Sequence, residues 1–146
     1  MWSLWIFGDN VEDRFGHIGF LIFYLLCGIL AGLAHIIINP SSDLPTIGAS
    51  GAIAGVMGAY LTMFPRANIR VIVPIVFWPI YLEVPAIVFA LFWAYTQIIN
   101  GLQFLNLTSQ NLELTNGGVA WWAHVGGFVA GIILTPLFLR LKKQNL

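Results

Sequence analysis

Apolar positions fill this chain in long runs, separated by short polar or proline-containing stretches. Met1 to Gly8 is apolar and aromatic, but eight residues of helix rise only about 12 Å, against the roughly 30 Å of a hydrocarbon core. It reads as the second half of a spanning helix, followed by a short polar turn over Gly8 to Gly16. Ile18 to Ile38 is nearly all apolar and long enough for one crossing. Asn39 to Pro45 ends it with two prolines and several turn formers. The next run, Ser50 to Phe64, is stopped by Pro65 and as a helix measures only about 22 Å. Its head therefore stays below the far surface, so Ile47 to Ala49 must enter as non-helical backbone, which is tolerated only where protein or a water-filled cavity surrounds it. Pro74 and Pro79 interrupt Val71 to Leu82, predicting an interfacial, partly extended connection. A further apolar run begins near Glu83 to Pro85 and reaches about Asn100, turning polar at Thr96, Gln97 and Asn100. The polar loop Gly101 to Gly118 carries no cation and leads to the last run, Val119 to Leu141.

The pattern predicts an all-α, polytopic transmembrane helical bundle, and composition agrees. Of 146 residues, 59% are hydrophobic and 8% charged, with a mean hydropathy of +0.87, whereas soluble domains carry about 25% charged residues. No linker, repeat or low-complexity tract divides residues 1–146, so a single membrane domain is expected. The formal net charge is zero, which offers no argument for nucleic acid as a partner; the lipid bilayer is the expected one. Cys27, the only cysteine, lies in an apolar run, which excludes an internal disulfide and argues against a cysteine-ligated metal. Alternating the runs across a bilayer puts all six cations (Arg14, Arg66, Arg70, Arg140, Lys142 and Lys143) on one side. The positive-inside rule makes that side cytoplasmic, together with the C-terminus, and the Asn39 to Ala49 and Gly101 to Gly118 loops face outward. Trp78 at the inner end and Trp121 with Trp122 at the outer end suit an interfacial aromatic belt.

Candidate chemistry centres on Gly48-Ala49-Ser50-Gly51, the head of the short run. Gly51, Gly55 and Gly58 share one helical face and admit another backbone closely. A matching small face is offered by Gly127 and Gly131, which follow His124. Ser50 lies 15 residues above Pro65 and His124 lies 16 above Arg140, hence roughly 22 and 24 Å of helix rise, so the two fall at one height. A histidine at that depth is a functional hypothesis by default. Serine becomes a competent nucleophile when a hydrogen-bonded base takes its proton, and imidazole can return that proton to a leaving amine. The free N–H groups and positive dipole end of the short helix would stabilise an oxyanion, with Gly48, Ala49 and Gly51 as backbone support. No acid lies near His124 in sequence, which favours a dyad over a triad. Read alone, Gly-x-Ser-Gly in an apolar helix is a packing motif. His35 and Asn39, four apart, read as residues satisfying interfacial hydrogen bonds, His17 as a loop residue at the inner surface and Glu83 as an interfacial anchor.

These motifs resemble the rhomboid family of intramembrane serine proteases. The likeness rests on Gly48-Ala49-Ser50-Gly51 with Gly55, on Ala123-His124 with Gly127 and Gly131, and on Gly58-Ala59-Tyr60 and Phe64-Pro65-Arg66-Ala67 between them. It implies Ser50 as nucleophile and His124 as general base, in a helical bundle that opens outward and uses no metal or cofactor. Implied substrates are transmembrane segments of other membrane proteins, cut near the outer face. Leu4-Trp5-Ile6-Phe7-Gly8 resembles the end of the family's second core helix, so the first core helix and half of the second are expected to be absent, with the His-x-x-x-Asn that helps bind the oxyanion. His35 and Asn39 have that spacing but sit on the following helix. Where some members place an aromatic residue against the histidine, four positions after the serine, this chain has Ala54. The chain alone is accordingly expected to have little or no protease activity. An alternative is a rhomboid-like protein that binds transmembrane segments without cutting them. A transporter or channel subunit fits less well, because the polar groups stop at the level of Ser50 and His124.

Overall fold

The computed structural model describes residues 2–40, 48–75, 78–109 and 119–144. The chain runs through α1 (Trp2–Phe15), α2 (His17–Ile38), α3 (Ser50–Met63), strands β1 (Asn68–Ile75) and β2 (Trp78–Pro85), α4 (Ala86–Ser109) and α5 (Trp121–Gln144). The helical bundle expected from the sequence is the architecture. The stretches His17–Ile38, Ala86–Leu107 and Trp121–Lys143 are long and apolar enough to cross a membrane, and Ser50–Met63 is apolar but shorter. Large side chains such as Leu25 and Ile29 of α2, Phe92 of α4 and Ile133 of α5 are exposed, as a lipid-facing surface requires.

Two expectations about element ends are corrected. Gly8 to Gly16 is not a turn: α1 continues through the polar residues to Phe15 because Phe7, Val11 and Phe15 recur four apart and are all buried on one stripe. The chain reverses at Gly16, whose φ of 78° suits glycine. The helix after the hairpin also runs past Asn100 to Ser109, so the first part of the expected Gly101 to Gly118 loop is helical. The remainder of that loop lies outside the described residues, as does Ser41 to Ile47 of the other outward loop.

The partly extended connection is an antiparallel hairpin, with Asn68 opposite Pro85 and Pro74 opposite Pro79. Placing the two prolines opposite each other confines the missing N–H donors to one level of the ladder. Trp78, Ile80, Tyr81 and Leu82 are exposed on it.

α3 is the central element, with Gly51, Ala52 and every residue from Ala54 to Ala59 buried. At the end of the bundle away from Ser50, Phe15 meets Phe23 and Phe138 with ring centroids 4.9 and 5.4 Å apart. Arg14 covers the ring of Phe64 at 5.2 Å, and Lys142 Nζ donates to the carbonyl of Asp13 at 2.7 Å. These contacts gather cations of α1 and α5 beside the foot of α3, at the opposite end from Ser50.

Candidate active site

The two small faces meet. A Cβ on Gly51 would stand 3.3 Å from the Ala123 carbonyl oxygen, and one on Gly127 would collide with the Gly51 carbonyl. Gly55 is enclosed in the same way by Gly127 and Gly131, and Gly58 by Phe128 and Ile132. The positions rise together on both helices, so α3 and α5 are parallel and in backbone contact. Gly51 lies midway between Ala123 and Gly127, and Gly55 midway between Gly127 and Gly131. Carried back by one residue, this register sets Ser50 level with His124. α2 closes the other side antiparallel, with Ala31 Cβ 2.5 Å from a Cβ built on Gly51 and Cys27 Cβ 2.5 Å from one on Gly55. Cys27 is fully buried there, in the packing role its sequence context suggests.

Ser50 is the first residue of α3 and is exposed. Gly48 enters the turn before it at φ 145°, a backbone state that side chains disfavour. A Cβ at Gly48 would lie 3.7 Å from Ser50 Oγ, so glycine leaves the hydroxyl uncovered on that side. The cap, Ala49, offers no side-chain acceptor. Ile53 is the first residue of α3 whose N–H reaches a helical acceptor, the Ala49 carbonyl at 3.0 Å, leaving the N–H groups of Ser50, Gly51 and Ala52 outside the ladder. These are the donors an oxyanion would need.

His124 occupies the first turn of α5 and is half-buried. Its Nδ1 is 2.7 Å from Gln97 Oε1 of α4. Trp93 of α4 lies tilted against the imidazole, with centroids 5.9 Å apart and planes at 33°, and Trp121 meets it edge-on at 6.2 Å. The aromatic support absent at Ala54, which is buried and small, thus comes from α4. Among the described residues Ser50 and His124 share no hydrogen bond; they are brought to one level on touching helices. In the sequence, Gln97 stands out only as part of a polar stretch with Thr96 and Asn100, and nothing marks Trp93. No sequence signal separates Gln97 from Asn100 and Gln103 on the same helix.

Of the other polar residues singled out, Asn39 Nδ2 lies 3.5 Å from His35 Nδ1, so this pair satisfies itself. His17 begins α2 rather than sitting in a loop, and its Nδ1 contacts Glu12 Oε1. Glu83 accepts from Arg70 at 3.4 Å, with both side chains exposed.

A family model described as a Rhomboid domain matches residues 1–141. The chain belongs to the rhomboid family. This rhomboid chain is 42% identical over 59 residues to Rhomboid protease GluP of Bacillus subtilis (strain 168), a match covering 40% of the chain and 11% of that protein. It is 28% identical over 148 residues to RHOMBOID-like protein 6, mitochondrial, of Arabidopsis thaliana, covering 99% of the chain and 39% of that protein. The chain therefore spans well under half the length of either relative. No solved structure matches it at comparable significance. Family and membrane-length helices together make this rhomboid an integral membrane protein.

Proposed function

We propose that this chain forms a single membrane domain that acts as an intramembrane serine endopeptidase, with Ser50 as nucleophile and His124 as general base. Transmembrane segments of other membrane proteins are its substrates. The observation that carries the reading is the glycine register of α3 and α5, which sets a hydroxyl and an imidazole level beside unladdered N–H groups. His124 Nε2 takes the Ser50 proton as Oγ attacks the scissile carbonyl. The N–H groups at the head of α3 and its dipole hold the resulting oxyanion. The imidazolium then protonates the leaving amine, and water releases the acyl group by the same steps. Hydrogen bonds between nucleophile and base are often long or unaligned before substrate binds. The missing Ser50–His124 bond is nonetheless the observation that favours the second reading, a rhomboid-like protein that binds transmembrane segments without cutting them.

Cleavage of a transmembrane substrate by a purified full-length version of the protein separates the two. Ser50→Ala and His124→Ala should each abolish it, and the double variant should be no worse, because residues acting as one unit are non-additive. A fluorophosphonate should label Ser50 and fail to do so once His124 is replaced. Cleavage that survives Ser50→Ala removes the protease reading.

In the topology we propose, the cationic end of the bundle and the C-terminus are cytoplasmic, and the Ser50 end opens to the outer side. The clustering of Arg14 and Lys142 about the foot of α3 supports it. Cysteines introduced at Arg70 should resist a membrane-impermeant thiol reagent in intact cells, while cysteines introduced at Gly118 should react. The opposite labelling pattern reverses the orientation.

A further inference from the structure

We propose that Gln97 is the positioning residue of His124, fixing the ring's orientation and the nitrogen that carries its proton. The catalytic consequence rests on the protease reading above; the tautomer rests on the α4–α5 geometry alone. Gln97 is 6% exposed, and a buried amide must place every polar atom. Its Nε2 donates to the Trp93 carbonyl at 3.3 Å and to Thr96 Oγ1 at 3.1 Å. The Thr96 hydroxyl proton is already given to that same carbonyl, at 2.6 Å, so both partners can only accept from the amide. This settles which way the amide faces: NH2 toward the backbone of its own helix, Oε1 toward α5. A carbonyl oxygen 2.7 Å from His124 Nδ1 accepts, so Nδ1 carries the hydrogen. The lone pair of the neutral ring is then on Nε2, the nitrogen that serves as base in serine hydrolases.

Gln97 thus does for His124 what a buried aspartate does in a triad, holding tautomer and ring plane, and it does so without charge. In a lipid-embedded bundle that choice has a physical reason, since an isolated carboxylate there is costly to desolvate. Trp93, one turn before Gln97 on the same helix, packs on the imidazole face. Ring plane and proton position are therefore both set from α4.

The test uses the full chain with ¹⁵N-labelled histidine in detergent micelles above neutral pH, with His124→Ala identifying the His124 signals among three histidines. Wild type should show Nδ1 protonated and Nε2 bare. Gln97→Leu should move the ring toward the Nε2–H form that an unrestrained neutral histidine favours. In parallel, fluorophosphonate labelling of Ser50 should slow about 10- to 100-fold in Gln97→Leu, the range expected when a reacting group loses its alignment. An Nε2–H tautomer in wild type, or an Nδ1–H tautomer that survives Gln97→Leu, overturns the proposal, and the wild-type spectrum decides if the leucine variant does not fold. Absent labelling in wild type with the expected tautomers removes the protease reading and leaves the positioning role standing. Normal labelling with the wrong tautomer does the reverse.

Discussion

On one side α5 meets α3 backbone to backbone, through Gly51, Gly55, Gly127 and Gly131; on the other it meets α4 through the side chains of Trp93, Gln97 and Trp122. A glycine contact has no rotamer to change, so it fixes the axial register of two helices and cannot absorb an added atom. Side-chain contacts leave more freedom, because a ring or amide can re-form its contact after a small shift of its helix. Ser50 and His124, the proposed pair, are set level by the first kind of contact. The His124 ring is contacted by the second. Height and orientation of the imidazole are therefore set by different helices, and substitutions can separate them.

The largest effect should come from Gly131→Leu. Even a Cβ at this position collides with the Gly55 carbonyl, and neither backbone can yield as a flexible side chain would. Overpacking typically costs about 1–3 kcal/mol and occasionally more, and this substitution should reach the upper part of that range. The measurement is reversible unfolding in detergent, with Ser50 labelling lost in step. Wild-type stability in Gly131→Leu would break the backbone-contact half of the comparison.

Trp93→Ala should cost less. It removes a half-buried ring that touches Phe128 and His124 at 5.9 Å each, worth roughly 1–2 kcal/mol for partial burial of an aromatic side chain. The α3–α5 register should survive, so Ser50 should still label, at a reduced rate. A loss of stability greater than in Gly131→Leu would mean that α4, rather than the glycine rows, holds the bundle. The smallest effect is expected for Gly32→Ala on α2, where an added Cβ meets nothing within 4 Å. With no clash to offset it, the better helix propensity of alanine should raise stability by up to about 1 kcal/mol. A marked loss there would show that small size matters on α2 beyond the contacts of Ala31 and Cys27.

Much of this arrangement can be read from the residues, because helix periodicity carries it. Glycines at three- and four-residue spacing announce a close backbone contact, and counting from Pro65 and Arg140 puts Ser50 and His124 at one height, as the register also does. Elsewhere the local signals conflicted. Asp9, Asn10, Glu12, Asp13 and Arg14 suggest a turn, and only the stripe Phe7, Val11, Phe15 shows that the helix continues. The proline pair between α3 and α4 makes an extended connection legible but not its pairing into an antiparallel hairpin. Gln97 was illegible for a different reason. Its partner is 27 residues away, and several amide side chains along α4, Gln97, Asn100 and Gln103 among them, look alike until tertiary packing selects one.

The shared register also bears on how the length of such a chain can vary. Ser50 and His124 each stand just ahead of their glycine rows, so the rows act as two rulers laid side by side with matching zero marks. One residue inserted between His124 and Gly127 would swing the imidazole about 100° around α5 and move it about 1.5 Å along the axis. Residues inserted between α4 and α5, or between α2 and α3, leave both zero marks where they are. Insertions and deletions are therefore confined by geometry to the connections, while 50–58 and 124–131 must keep their count.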